Sequence, residues 1–281
     1  MPQVHPTACL GKDVELADDV EIGPLCVLEG RIRIGSGTRL MGGAWLQGPL
    51  EIGEGNLLWP GVSLGLAPQS ARFDPFEDGP GLVIGDRNRL REHVSIHRAT
   101  NWESPEGRND PTRIGNDNYL MVNSHVGHDS VVGNHCTLAN GALVGGHAVL
   151  EDQVLLGGNA AIHQFCRIGR GAMVSGLAAV TLDLMPHFTV TQINYAGSLN
   201  MVGLRRSGAT PEQIATVMWI FKLFCRSQLP TAQAVERLEE RRGDRMVDTY
   251  LEFVRKSTRG LVTRRGRTGS ARESATQESG A

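Results

Sequence analysis

The sequence is short of the features that announce a charged partner, a membrane or a nucleotide cradle. Over 281 residues the formal charge sums to −2, so no global field marks nucleic acid as the partner. No apolar run of about 18 residues occurs, so no integral membrane segment is expected. The N-terminus, Met1-Pro2-Gln3-Val4-His5, has no basic stretch leading into an apolar one, so no secretory signal is expected. A P-loop and a dinucleotide-binding glycine fingerprint are both missing. The cysteines number five, an odd count, and Cys26, Cys136 and Cys166 share one repeat phase that reads as packing. A reduced, cytoplasmic protein is the simplest account.

What is present is a period of six. Val4, Leu10, Leu16, Ile22, Leu28, Ile34, Leu40, Leu46, Ile52, Leu58 and Leu64 are all aliphatic. The count resumes at Ile84, Leu90 and Ile96, then runs from Ile114 through Val126, Val144 and Ile162 to Val180. A hexapeptide solenoid gives an aliphatic at every sixth residue, and an internal repeat overrides other readings. Three hexads, about 18 residues, close one triangular coil, and coils stack at the strand spacing of about 4.8 Å. The aliphatics are expected to point inward. Small residues four positions on, such as Cys136, Ala148 and Cys166, suit narrow corners. Glycine often follows the aliphatic directly, as in Gly127 and Gly145, and is expected there for the positive φ of a sharp corner. The 35 glycines exceed the norm of roughly 7% and are assigned to corners.

The solenoid is expected over residues 1–187, with inserted loops at 66–82 and 97–113. Ile96 and Ile114 keep phase across the second insertion, and long loops at solenoid corners are usually functional. A helical domain is expected over 188–265. Thr210-Pro211-Glu212-Gln213 reads as a capped helix start, and further helices are expected over Ala232–Arg241 and Arg245–Lys256. Residues 266–281 turn to Gly, Ser, Thr, Glu and Arg and are expected to be disordered. The helices can cover one open end of the solenoid, whose strand edges are an aggregation hazard.

Of nine histidines, five fall in the second repeat block: His125, His128, His135, His147 and His163. A solvated surface histidine is the ordinary reading for any one of them; five together weaken it. Within this block only His128 has an adjacent carboxylate, Asp129. A carboxylate beside an imidazole fixes its tautomer, and such an imidazole suits a general base for a hydroxyl. Gly145-Gly146-His147 offers unshielded N–H groups that could hold an oxyanion, although corner glycines need no such role. His125-x-x-His128 could instead ligate zinc with His147 or His135 as a third ligand, as in carbonic-anhydrase-like prisms. Asn200, Arg205 and Arg206 could bind a diphosphate or form a solvated helix face. Lys222, Arg226, Arg255, Lys256, Arg259, Arg264 and Arg265 could dock an acidic protein or be ordinary surface. A non-catalytic scaffold needs neither clustered histidines nor long loops.

Together these segments resemble the UDP-N-acetylglucosamine 3-O-acyltransferase family that begins lipid A synthesis. The specific stretches are Ile84–Glu92, Ser95-Ile96-His97-Arg98, Asn123–Asp129, Gly146-His147, Ile162–Cys166 and Ser257–Leu261. The resemblance implies a mainly β fold, a left-handed parallel β-helix with a C-terminal α-helical domain, assembled as a homotrimer. It implies His128 as the base, Asp129 as its orienting group and Gly146 N–H as oxyanion donor. It implies Gln69, Arg72, His125, His147, His163, Gln164, Asn200 and Arg206 as substrate-binding residues, and Gly176 as the limit on acyl length. No metal and no bound cofactor are implied. Phosphopantetheine arrives on the partner acyl carrier protein, and the acceptor is a UDP-sugar. Ser70, Arg72 and Ser207 depart from the family pattern, so a paralogue acting on another nucleotide-linked sugar, or on an amine in place of a hydroxyl, is the second reading.

Overall fold

The structure, a computed structural model, describes residues 1–101 and 109–263. The tail at 266–281, Arg264, Arg265 and part of the 97–113 insertion lie outside the described residues. The rest forms a parallel β-solenoid whose three faces are sheets of 11, 9 and 8 strands. Residues one coil apart pair in parallel: Ser95 with His125, His125 with Leu143, and Leu143 with Ala161. Strands are short because three hexads must turn three corners.

The inward aliphatics fill the prism. Ile22 through Val180 are essentially inaccessible. Val4 and Leu10, in the first coil, depart from that expectation and remain 40% and 37% exposed. Cys26, Cys136 and Cys166 are buried, as their phase implied, and burial pushes the Cys136 thiol up to about 12. Thr38, Asn56, Asn88 and Asn118 occupy that same phase on one edge and are also buried. They bond as a ladder: Asn56 N–H donates to Thr38 Oγ1, Asn88 N–H to Asn56 Oδ1, and Asn118 N–H to Asn88 Oδ1. The Asn56 and Asn88 amides also donate, to Gly85 O and Gly115 O at 2.9 Å each, as buried polar groups require.

The corners are built differently from expectation. Gly127 and Gly145 do not have positive φ; they are required by close approach. A Cβ on Gly127 would lie 2.7 Å from the Gly146 nitrogen one coil on. The left-handed residue is instead the third after the aliphatic, and it usually carries a side chain: Asp129 at 58°, His147 at 59°, Phe165 at 63°. Non-glycine residues in that region are uncommon. Here the repeating corner geometry imposes it coil after coil.

Residues 188–199 also differ from expectation. They belong to the first sheet and not to the helices: Phe188–Gln192 pairs in parallel with Met173–Val174, and Tyr195–Leu199 folds back antiparallel. Among the described residues four helices follow: α1 Met201–Arg206, α2 Pro211–Cys225, α3 Thr231–Glu239 and α4 Arg245–Arg255. The capping box of Thr210 and Gln213 starts α2 as read from the sequence. Phe188, Phe221 and Tyr250 pack together, and buried Tyr250 donates its hydroxyl to Pro186 O at 2.7 Å. This aromatic cluster fastens the helices to the C-terminal end of the solenoid and covers it.

Candidate active site

The 18-residue coil decides what meets what. After the strand His125–Val126 comes the corner Gly127-His128-Asp129; one coil on, Gly145-Gly146-His147 follows Leu143–Val144; one further, His163-Gln164-Phe165 follows Ala161–Ile162. His128, Gly146 and Gln164 therefore form one column, and Asp129, His147 and Phe165 the next. Both inserted loops leave this same edge from the two coils before it, after the paired strands Ser63–Leu66 and Ser95–His97. The corners and Gln69 of the loop over 67–81 border an open cleft of about 360 Å³ lined by Gln69, His125, Gly127, His128, Gly145, Gly146, Ile162, His163 and Gln164.

His128 Nδ1 lies 2.6 Å from Asp129 Oδ2. The carboxylate can only accept, so Nδ1 carries a proton, and in the neutral ring the lone pair is on Nε2. The Asp129 side chain is 6% exposed, and its oxygens also accept from Thr100 N–H at 3.1 Å and Thr100 Oγ1 at 3.0 Å. Gly146 adjoins the ring: a Cβ there would lie 3.0 Å from His128 Nε2. The Gly146 N–H has no hydrogen-bond partner among the described residues, so it remains available to a ligand.

Burial favours the neutral form of three nearby rings, His97, His125 and His147. Burial pushes His125 down to about 4, helped by repulsion from His97 and His128. Ser95 Oγ shares a hydrogen bond with His125 Nδ1 at 2.9 Å. His97, also depressed mainly by burial, donates from Nδ1 to Ala67 O and so holds the start of the loop over the cleft. His147 stacks on Phe165 at 4.4 Å. Its Nε2 stands 3.6 Å from Asp129 Oδ2. Burial lowers the His147 pKa more than Asp129 raises it, so this contact is not an ion pair at neutral pH.

Ligand atoms of His128, Asp129 and His147 lie within 4.8 Å of one another. That trio, and not His125 with His128, is the group whose geometry could hold a metal. Asp129, however, already serves His128 and Thr100. Asn200, Arg206, Arg72 and Gly176 do not line the cleft of their own chain. Asn200 caps α1, accepting from Gly203 N–H, and donates to Gly171 O at 3.0 Å. A larger hollow of about 720 Å³, between α4 and the last coils, contains no histidine–carboxylate pair. Thr100 escaped the sequence reading. The one available signal was its place at the base of a phase-keeping insertion.

A base nitrogen beside an unused N–H suits removal of a hydroxyl proton next to a carbonyl under attack, and this chemistry on this prism defines a hexapeptide-repeat acyltransferase. Residues 111–146 match the bacterial transferase hexapeptide model, and residues 183–262 match UDP N-acetylglucosamine O-acyltransferase, domain 2. The acyl-(acyl-carrier-protein)–UDP-N-acetylglucosamine O-acyltransferase of Myxococcus xanthus is 39% identical over 93% of this chain and 100% of its own length. The protein of the same name from Saccharophagus degradans shows the same identity and coverage. The Francisella novicida UDP-N-acetylglucosamine acyltransferase structure superposes with a TM-score of 0.87 at 30% identity, covering 93% of this chain and 94% of its own. The Moraxella catarrhalis UDP-N-acetylglucosamine O-acyltransferase gives 0.84 at 33% identity, with 92% and 99% covered. The chain belongs to the UDP-N-acetylglucosamine O-acyltransferase family.

Proposed function

We infer that the protein transfers a 3-hydroxyacyl group from acyl carrier protein to the 3-hydroxyl of UDP-N-acetylglucosamine, the first step of lipid A biosynthesis. The observation that carries the mechanism is His128 Nδ1 held 2.6 Å from Asp129 Oδ2, with the ring beside Gly146, whose N–H has no partner among the described residues. His128 Nε2 removes the proton of the sugar hydroxyl. The oxygen attacks the thioester carbon, and Gly146 N–H donates to the resulting oxyanion. Collapse breaks the carbon–sulfur bond, and the carrier thiolate takes back the proton from His128. Positioning Gln69, His125, His163 and Gln164 around the same cleft supports their roles toward sugar and pantetheine.

The reading includes a cytoplasmic homotrimer that turns over without metal or bound cofactor. Asn200, Arg206, Arg72 and Gly176 lie outside the cleft of their own chain, and a neighbouring copy can supply such groups. Exposed Trp45 and Leu143 on the sheet that carries His125 give that copy apolar surface to bury. Among the described residues no helix is long and apolar enough to cross a membrane.

The test is mass spectrometry of products from 3-hydroxyacyl carrier protein with UDP-N-acetylglucosamine and with its 3-amino analogue. An ester on the 3-oxygen supports the reading. Product from the amine alone would replace it with the amino-sugar alternative raised by Ser70 and Arg72.

A further inference from the structure

We propose that Thr100 is a positioning residue for acyl transfer: its two donors aim the Asp129 carboxylate at His128 and away from His147. The proposal rests on the reading of His128 as base. Asp129 Oδ2 has two imidazoles within reach, His128 Nδ1 at 2.6 Å and His147 Nε2 at 3.6 Å. A carboxylate held at one point can rotate about its Cβ–Cγ bond and share itself between them. Thr100 removes that freedom by two-point attachment, N–H to Oδ1 at 3.1 Å and hydroxyl to Oδ2 at 3.0 Å. Asp129 N–H donates to Thr112 Oγ1 at 2.8 Å, which fixes the backbone behind it.

Thr100 is itself held rigidly. It is 8% exposed, and the residues before it are tied to the other inserted loop. Arg98, 1% exposed, donates to Gly65 O at 2.9 Å, Pro75 O at 3.0 Å and Glu77 O at 2.7 Å. Ala99 N–H donates to Gly81 O at 2.9 Å. The segment from His97 to Thr100 therefore joins the loop bearing Gln69 to the carboxylate that serves His128.

The variants are Thr100→Val, which keeps shape and backbone N–H but loses the hydroxyl, and Thr100→Ser, which keeps the hydroxyl. Steady-state kinetics with 3-hydroxyacyl carrier protein and UDP-N-acetylglucosamine should show kcat down about tenfold or more in the valine variant, consistent with misaligned general-base catalysis. KM for the nucleotide sugar should be unchanged, and serine should restore kcat to within about threefold. In an Asp129→Asn background, Thr100→Val should cost nothing further, because the two residues act as one unit. A valine variant within twofold of the parent, a serine variant as impaired as valine, or an undiminished loss in the Asp129→Asn background would each overturn the proposal. If the valine protein does not fold, the serine variant and the Asp129→Asn/Thr100→Ser pair carry the test: serine activity below a tenth of the parent overturns it. His128→Ala run in parallel keeps the two ideas apart. An active His128→Ala removes the base assignment; an inactive one beside a fully active Thr100→Val removes only the role of Thr100.

Discussion

Replacing Gly146 with alanine should disable the enzyme without loosening it. An ideal Cβ at this position lies 2.9 Å from His128 Cε1, 3.0 Å from Nε2 and 3.3 Å from Nδ1. Ordinary carbon contacts sit near ~3.5–4.0 Å, so the imidazole must withdraw by roughly 0.5–1 Å. It cannot do so and keep the 2.6 Å bond to Asp129. A misplacement of about 1 Å can cost about 100-fold, close to 2.7 kcal/mol of transition-state stabilisation. Gly146 φ is not in the left-handed region, so the alanine backbone is unstrained and Tm should hold within a few degrees. Gly158→Ala is the matched control: it has the same phase in its hexad, but a Cβ there meets nothing nearer than Asn140 O at 3.6 Å. The assay is kcat and KM with 3-hydroxyacyl carrier protein and UDP-N-acetylglucosamine. The expected result is kcat down about 100-fold in Gly146→Ala and unchanged in Gly158→Ala. A Gly146→Ala enzyme within about threefold of its parent would refute the placement of the reacting atoms between His128 and Gly146.

Three further outcomes follow from the same geometry. Gly176→Met should favour shorter acyl donors: a Cβ there meets backbone of Gly158 alone, O at 3.3 Å and N at 3.7 Å, so a side chain is admitted after a small shift, and on the proposed role of Gly176 it takes the space a longer chain would use. Displacing four methylenes at about 0.8 kcal/mol each costs about 3 kcal/mol in selectivity, and an unchanged length profile of kcat/KM would place the acyl groove elsewhere. His187 is depressed to about 4, first by burial and then by Arg170, so the folded state binds fewer protons than the unfolded one below pH ~6.5. Stability should be complete above ~6.5 and fall as pH drops toward 4, by on the order of 3 kcal/mol at about 1.36 kcal/mol per pH unit. Denaturant melts of His187→Asn should lack that fall, and parallel curves for the two proteins between pH 7 and 4 would contradict it. Exhaustive chelation should leave turnover intact, whereas activity lost to chelator and restored by zinc would make His128, Asp129 and His147 metal ligands.

The hexad made the solenoid legible because an inward position has only one physical solution, and Ile22 through Val180 all take it. The role of the corner glycines was misjudged because a sequence does not say whether glycine answers a torsion or a close approach. At Gly127 it is the approach of Gly146, while the torsion falls on Asp129. The hairpin over Phe188–Gln192 and Tyr195–Leu199 was missed because the six-period stops there. Alternation of Phe188 and Val190 with threonines was the remaining signal. His128 and Asp129 are adjacent in sequence, so their pairing could be read directly. Thr100 is 29 residues from Asp129 and meets it only because the insertion leaves the same edge one coil earlier. Buried His187 has no pattern at all in the sequence; its burial depends on how the helices close the solenoid.

The central claim, that His128 is the base of an acyl transfer on this prism, is tested most directly by His128→Ala. His128 sits on the outer corner, with its side chain 16% exposed and no place in the aliphatic core. Loss of a general base typically costs about 10²–10⁴-fold. Single-turnover formation of the 3-O-acyl sugar should therefore fall by about that factor, with the melting temperature and oligomeric state of the parent retained. Product formation within a few-fold of the parent would contradict the account.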